Sequence, residues 1–193
     1  MFEMIDFHCH PDLYNDNFKL IEKSRENNFK IVAMTNLPQL YRRYYEKFFN
    51  EETINISLGY HPQLIEEYPN ELNIFLKYVK EASFIGEVGL DISSKKTNNI
   101  ELQKEIFRSI INEGTRLGNK IISIHSRKTD DIIFDFLKKS SCIYIMHWYT
   151  GNIKRLLTAM SSDDNIYISI NSNMVHSSNG IKLIETVPLS RIV

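Results

Sequence analysis

A histidine or an acid follows one apolar run after another in this chain: His8 and His10, then His61, Glu87, His125 and His147. Imidazoles and a carboxylate gathered on one surface are the donors of a divalent metal centre, which activates water and polarises phosphoryl or carbonyl groups. His8-Cys9-His10 is the sharpest local signal, because alternating side chains on a strand send both imidazoles to one side and Cys9 to the other. Glu87 leaves an apolar strand between Gly86 and Gly89, where the backbone can turn closely round a ligand. Its two oxygens could bridge two cations. Asp91, in the same segment, reads as a capping or loop-orienting group rather than a ligand. His125 and His147 would each read alone as core or rim residues; their joint placement after consecutive strands makes them ligand candidates. Arg127 offers a fork of donors to a phosphate, and His61, just before Pro62, offers an imidazole to substrate. Mixed nitrogen and oxygen donors suit Zn²⁺, Mn²⁺ or Fe²⁺ better than Mg²⁺.

Positioning such residues from distant sequence requires a repeated scaffold. Strand-like runs lie near 4–8, 30–35, 54–58, 83–87, 120–125, 142–147 and 165–170. Helical patterns lie at 17–28, 69–81, 99–118, 129–139 and 151–161, with Gly118 as a stop for the third. The βαβα order predicts a parallel sheet with right-handed crossovers. Ligands drawn from at least five strand ends favour a TIM-like (β/α) barrel over a doubly wound sheet with one switch point. The residues from Leu189 to Val193 read as the beginning of an eighth strand, after a helix-like stretch from Gly180 to Val187, so the barrel is expected to be cut at the start of strand eight.

The 193 residues, 42% of them hydrophobic, fit one domain spanning 1–193. A net charge of −1 argues against coating nucleic acid through bulk charge, though a local cationic site is compatible with it. Two cysteines, no secretory pattern at the start and no apolar run near the ~20 residues of a membrane span point to a cytoplasmic protein without a membrane partner.

Asp6-Phe7-His8-Cys9-His10, Gly59-Tyr60-His61-Pro62, Ile85-Gly86-Glu87-Val88-Gly89-Leu90-Asp91, Ile124-His125-Ser126-Arg127 and Met146-His147-Trp148-Tyr149-Thr150-Gly151 together resemble the ordered signatures of the TatD family of metal-dependent deoxyribonucleases. The opening segment is also similar to that of TatD-like members of bacterial anti-phage defence operons. The resemblance implies one or two divalent ions (Mg, Mn or Zn) held by His8, His10, Glu87, His125 and His147. In that scheme His8 and His10 serve one ion, His125 and His147 the other, and Glu87 bridges them. His61 and Arg127 would face the phosphate of a DNA substrate, in single-stranded form or at DNA ends, and defence-operon proteins would be partners. The family's strand-eight aspartate would fall after Val193.

Two other readings stay open: a small-molecule hydrolase on the same barrel, and an interaction subunit that is inactive or is completed by a partner along an open sheet edge. Further residues have blander readings. Tyr41, Tyr44 and Tyr45 with Arg42 and Arg43 could stack on bases, but an amphipathic helix packing its tyrosines on the barrel accounts for them better. His176 reads as a loop histidine, and Lys95-Lys96 as a solvated loop.

Overall fold

The computed structural model describes residues 4–14, 17–93 and 99–193. Its strands are β1 (Met4–Cys9), β2 (Phe29–Ala33), β3 (Ile54–Tyr60), β4 (Phe84–Asp91), β5 (Ile121–Arg127), β6 (Ile143–Met146) and β7 (Ile166–Ile168). They form one parallel sheet in sequence order, β1-β2-β3-β4-β5-β6-β7. Seven parallel strands curl into a half-barrel with helices in the crossovers, as the alternating pattern implies. Lys95 and Lys96 lie outside the described residues.

The helices are α1 (Asn17–Glu26), α2 (Pro38–Phe48), α3 (Leu72–Tyr78), α4 (Ile100–Leu117), α5 (Ile153–Ser162), α6 (Ser172–Val175) and α7 (Ser178–Thr186). The longest, α4, shows how sequence sets them. Asn99 caps it by accepting from the Leu102 N–H, and Gly118 ends it at φ +70°. Its Ile106, Phe107, Ile110 and Ile111 stripe is fully buried against the sheet. Asn152 and Ser177 cap α5 and α7 in the same way. In α2, Tyr41 is buried and Tyr44 packs on the core, while Arg42, Arg43 and Tyr45 are exposed.

Two stretches differ from the sequence pattern. The segment 129–139 holds only a 3₁₀ turn, Ile133–Phe136. Thr129 is fully buried, with its hydroxyl on the Leu90 carbonyl, and Asp130 accepts from the Asn152 N–H and Arg155, so the start of the stretch is fixed by tertiary bonds that compete with a continuous helix. Leu189–Arg191 is likewise a 3₁₀ turn, and pairing begins only at Ile192, which bridges Ile168 in parallel. The Val193 N–H donates to the Ile168 carbonyl and the Ile170 N–H to the Val193 carbonyl, so the expected eighth strand starts three residues later than its pattern suggests.

Register shifts occur at two places that matter for chemistry. Between Asp6 and Cys9, β1 spends three residue steps against two in β2; between Ile85 and Val88, β4 does the same against both β3 and β5. Such bulges re-aim side chains, and these contain His8 and Glu87. Close approach follows: a Cβ on Gly89, at φ +143°, would stand 2.0 Å from the His125 carbonyl oxygen. Gly89→Ala is therefore expected to lower stability by about 3 kcal/mol, against about 1 kcal/mol for Gly118→Ala, whose Cβ would meet only the Ser141 hydroxyl. Urea unfolding of both variants checks this; equal losses would contradict the close approach.

Candidate metal centre

Four strand ends deliver imidazoles to one buried carboxylate. Glu87, 5% exposed, presents Oε1 to His125 Nδ1 at 2.5 Å. Its Oε2 lies 3.4 Å from His8 Nε2, 3.3 Å from His10 Nε2 and 3.6 Å from His61 Nε2. His8 and His10 place their Nε2 atoms 3.1 Å apart. Donors held about 2.0–2.1 Å from a tetrahedral ion stand about 3.3 Å from one another, so the His8, His10 and Glu87 atoms already form one face of a coordination shell. Donor atoms of His8, Glu87 and His147 gather within 4.8 Å, as do those of His61, Glu87 and His125. The residues present thus fit a divalent cation, and Glu87 belongs to both groups.

The pairing differs from the one expected. His147 stands with His8 rather than with His125: the two rings stack at 3.3 Å between centroids, with 5° between planes. His125 instead meets the His61 ring edge-on at 4.8 Å. Arg127 and His10 join Glu87, His125 and His147 in lining a cleft of about 370 Å³ with Trp148 and Thr150. Every residue named from sequence as a ligand or phosphate contact therefore lies at this one place. His176 is exposed at the end of α6, a loop position as read.

Hydrogen bonds behind these residues fix which ring nitrogen faces inward. His8 Nδ1 meets the Ser123 hydroxyl at 2.8 Å and His147 Nδ1 the Ser169 hydroxyl at 3.0 Å, leaving Nε2 of each for the site. His61 Nδ1 accepts from the Gln63 N–H; in the neutral ring the proton then sits on Nε2, which faces Glu87 as a donor. His125 Nε2 meets Asp91 Oδ2 at 2.8 Å, and the same oxygen accepts from the Gln63 amide. Asp91 is fully buried; its other oxygen accepts from the Ser93 N–H and hydroxyl, and Gln103 clamps its backbone on both sides. It is an orienting group, as read, but for His125 as well as for its loop. Ser123, Ser169, Gln63 and Gln103 carried no sequence signal, being ordinary polar residues until folding aims them. After β5 and β6 the chain turns through Lys128 at φ 59° and Trp148 at φ 43°, left-handed conformations costing about 1–2 kcal/mol each.

Burial and charge divide the histidines. Desolvation lowers the pKa of His8, and it takes His61 down to about 4 and His147 to about 3, the last also through charge repulsion with His8, so all three are neutral at pH 7. Burial also opposes charge on His125, but its bonds to Asp91 and Glu87 outweigh it and raise the ring to about 9. Burial likewise opposes ionisation of Glu87, yet bonds from His10, His125 and His8 hold it well below the usual carboxylate range. A cation at His125 Nδ1 takes the place of a proton, so ligation and protonation are alternatives there. For the EDTA-treated protein the signs are opposite on the two sides of the unfolded histidine value of about 6.5. From pH 4 to 6.5 the unfolded chain binds more protons through His8, His61 and His147, so stability rises with pH; from 6.5 to 9 the folded chain binds more through His125, so it falls. Melting temperature against pH should peak near 6.5, and His125→Asn should flatten the alkaline limb alone; an alkaline limb that persists in this variant would contradict the assignment.

Among solved structures the chain is similar to YJJV, a TatD homologue from Escherichia coli, at 18% identity and a TM-score of 0.83, covering 98% of this chain and 77% of that one. A TatD family hydrolase from Entamoeba histolytica matches at 16% and 0.80, covering 98% and 72%. An amidohydrolase from Saccharomyces cerevisiae matches at 15% and 0.78, covering 100% and 74%. No curated protein matches the chain in sequence. No helix among the described residues is long and apolar enough to cross a membrane. The family model for TatD related DNase matches residues 5–193, and with the barrel and the carboxylate ringed by histidines in place, the chain belongs to the TatD family of metal-dependent hydrolases.

Proposed function

We propose that this chain hydrolyses phosphodiester bonds in DNA, with one or two divalent cations held by His8, His10, Glu87, His125 and His147. The observation that carries the reading is Glu87 turning one oxygen to His125 and the other to His8, His10 and His61, in a cleft lined by Arg127. A bound divalent cation supplies a Lewis acid that lowers the pKa of water and offsets phosphoryl charge. The chain's own groups do the rest. The exposed Arg127 directs a planar fork of donors at non-bridging phosphate oxygens. His61 donates through Nε2–H to charge developing on the same group, and being neutral at pH 7 it does so without repelling a cation. Glu87, ionised and buried, supplies fixed negative charge at the centre. A cleft of about 370 Å³ admits a single strand or a frayed end more readily than an intact duplex.

Cleavage of end-labelled single- and double-stranded DNA with Mg²⁺, Mn²⁺ or Zn²⁺ tests this. Activity is expected to fall to background in EDTA and in Glu87→Ala, and by about 10²-fold in Arg127→Ala. EDTA-resistant cleavage, or turnover by Glu87→Ala at metal saturation, would sink the reading.

A second reading, hydrolysis of a small amide, lactone or ester, draws on the fold likeness to the yeast amidohydrolase and to a dihydroorotase from Campylobacter jejuni, 12% identical with a TM-score of 0.55 over 99% of this chain and 68% of that one. The same donors activate water whatever the electrophile. Under this reading DNA stays intact while a panel of small esters and amides is cut. A role in anti-phage defence beside operon-encoded partners extends the nuclease reading; plating efficiency of phage on cells carrying the Glu87→Ala allele should then rise to that of cells lacking the gene, and unchanged protection would refute it.

A further inference from the structure

A cavity of about 680 Å³ adjoins the metal cleft, and Trp148 and Thr150 line both. Its walls come from the loop after β6, the start of α5, and α6 and α7. Lys154 and Lys182 stand exposed on it beside Asn173 and Asn179, and no Asp or Glu lines it among the described residues. A neighbouring groove of about 690 Å³ meets this cavity at Asn152 and Lys154 and carries carboxylates: Asp130, Asp131, Asp135 and Asp163 line it with Lys139 and Arg155, and it shares no residue with the metal cleft. A polyanion leaving the cleft past Trp148 enters a cavity lined by ammonium groups and amides, and the carboxylates line the next groove, with Lys154 at the border between the two.

Trp148 marks the boundary. It is 46% exposed although it follows site residue His147 and precedes Tyr149, which is 2% exposed with its hydroxyl on the Asn152 carbonyl. The chain is thus anchored on both sides of an indole that remains in water, at a backbone φ of 43°. An indole in water at the junction of two cavities, with lysines beyond it, has the parts of a single-strand site: a stacking platform followed by phosphate contacts.

We propose that this groove is a subsite for the nucleotides flanking the scissile phosphodiester, in which an unpaired base stacks on Trp148 and the strand's phosphates run to Lys154 and Lys182. The proposal rests on the DNA phosphodiesterase reading and adds where the strand goes. It also assigns the preference for unpaired bases to one side chain, since a base within a duplex has no free face to offer.

Trp148 is the single tryptophan of the chain, so emission excited beyond the tyrosine absorption band reports this residue alone. The experiment titrates the full chain, in EDTA so that no strand is cut, with a short single-stranded oligodeoxynucleotide and with the same strand carrying one abasic site at successive positions. Binding is followed both by tryptophan emission and by anisotropy of a label on the strand. The intact strand should quench the emission, and one abasic position should remove the quench and weaken binding about tenfold. The Lys154→Ala/Lys182→Ala double variant, altered only at exposed side chains, should reduce the slope of log affinity against log salt by about 1.4, two single-strand phosphate contacts at about 0.7 each. Binding by anisotropy with unchanged emission and an unchanged salt slope would overturn the subsite and leave the phosphodiesterase reading standing. A strand that neither binds nor, with metal restored, is cut would overturn both.

Discussion

One buried negative charge organises this molecule. A carboxylate removed from water as fully as Glu87 is costly unless it is paired and hydrogen-bonded, and it has four imidazoles within 3.6 Å. Burial makes His8 and His61 poor at holding a second proton. His125, by contrast, sits between two carboxylates and keeps its charge. The centre is therefore a balance in which anions and neutral donors outnumber cations. Such an arrangement has affinity for positive charge written into its electrostatics, and the fold supplies the rigidity that keeps it from collapsing.

That rigidity is backbone work. The two bulges, one in β1 and one in β4, fall on His8 and Glu87, so the strands are out of step with their neighbours where chemistry requires it. Gly59 and Gly89 let the neighbouring chain come within a distance that any Cβ would forbid: at Gly59 it would stand 1.5 Å from the Thr35 carbonyl oxygen. Behind the ring of histidines, Ser123, Ser169, Gln63 and Asp91 hold one nitrogen of each of four rings or its neighbour, and the left-handed turns at Lys128 and Trp148 then carry the chain sharply off the strand ends. Two left-handed turns and a layer of satisfied hydrogen bonds thus lie within a few residues of the site, where a preorganised centre needs them.

Much of this was legible in the sequence because it depends on short-range chemistry. Apolar β-branched runs before His61, His125 and His147 announce parallel strands, and Asn99 with Gly118 brackets the long helix. What was not legible depends on curvature and register. The stacking of His147 on His8 joins β1 to β6, which are not neighbours in the sheet and meet only because it curls. The bond from His125 to Asp91 depends on Gly89 standing beside His125 in the β4–β5 register, a relation that no residue type displays. In 129–139 the apolar spacing suggested a helix, but side-chain bonds at Thr129 and Asp130 decided the backbone instead.

The strictly sequential strand order has a kinetic meaning. Each strand pairs with the one made just before it, so the sheet grows along the chain without waiting for distant segments, and contact order stays moderate for a parallel protein. The site obeys a different clock. His8 comes from the first strand, and the hydroxyl that orients His147 comes from Ser169, just after the seventh. Secondary structure and much of the core can therefore form early, whereas the assembled ring of imidazoles belongs to the final step. Capture of a metal ion would accordingly report the end of folding rather than its beginning.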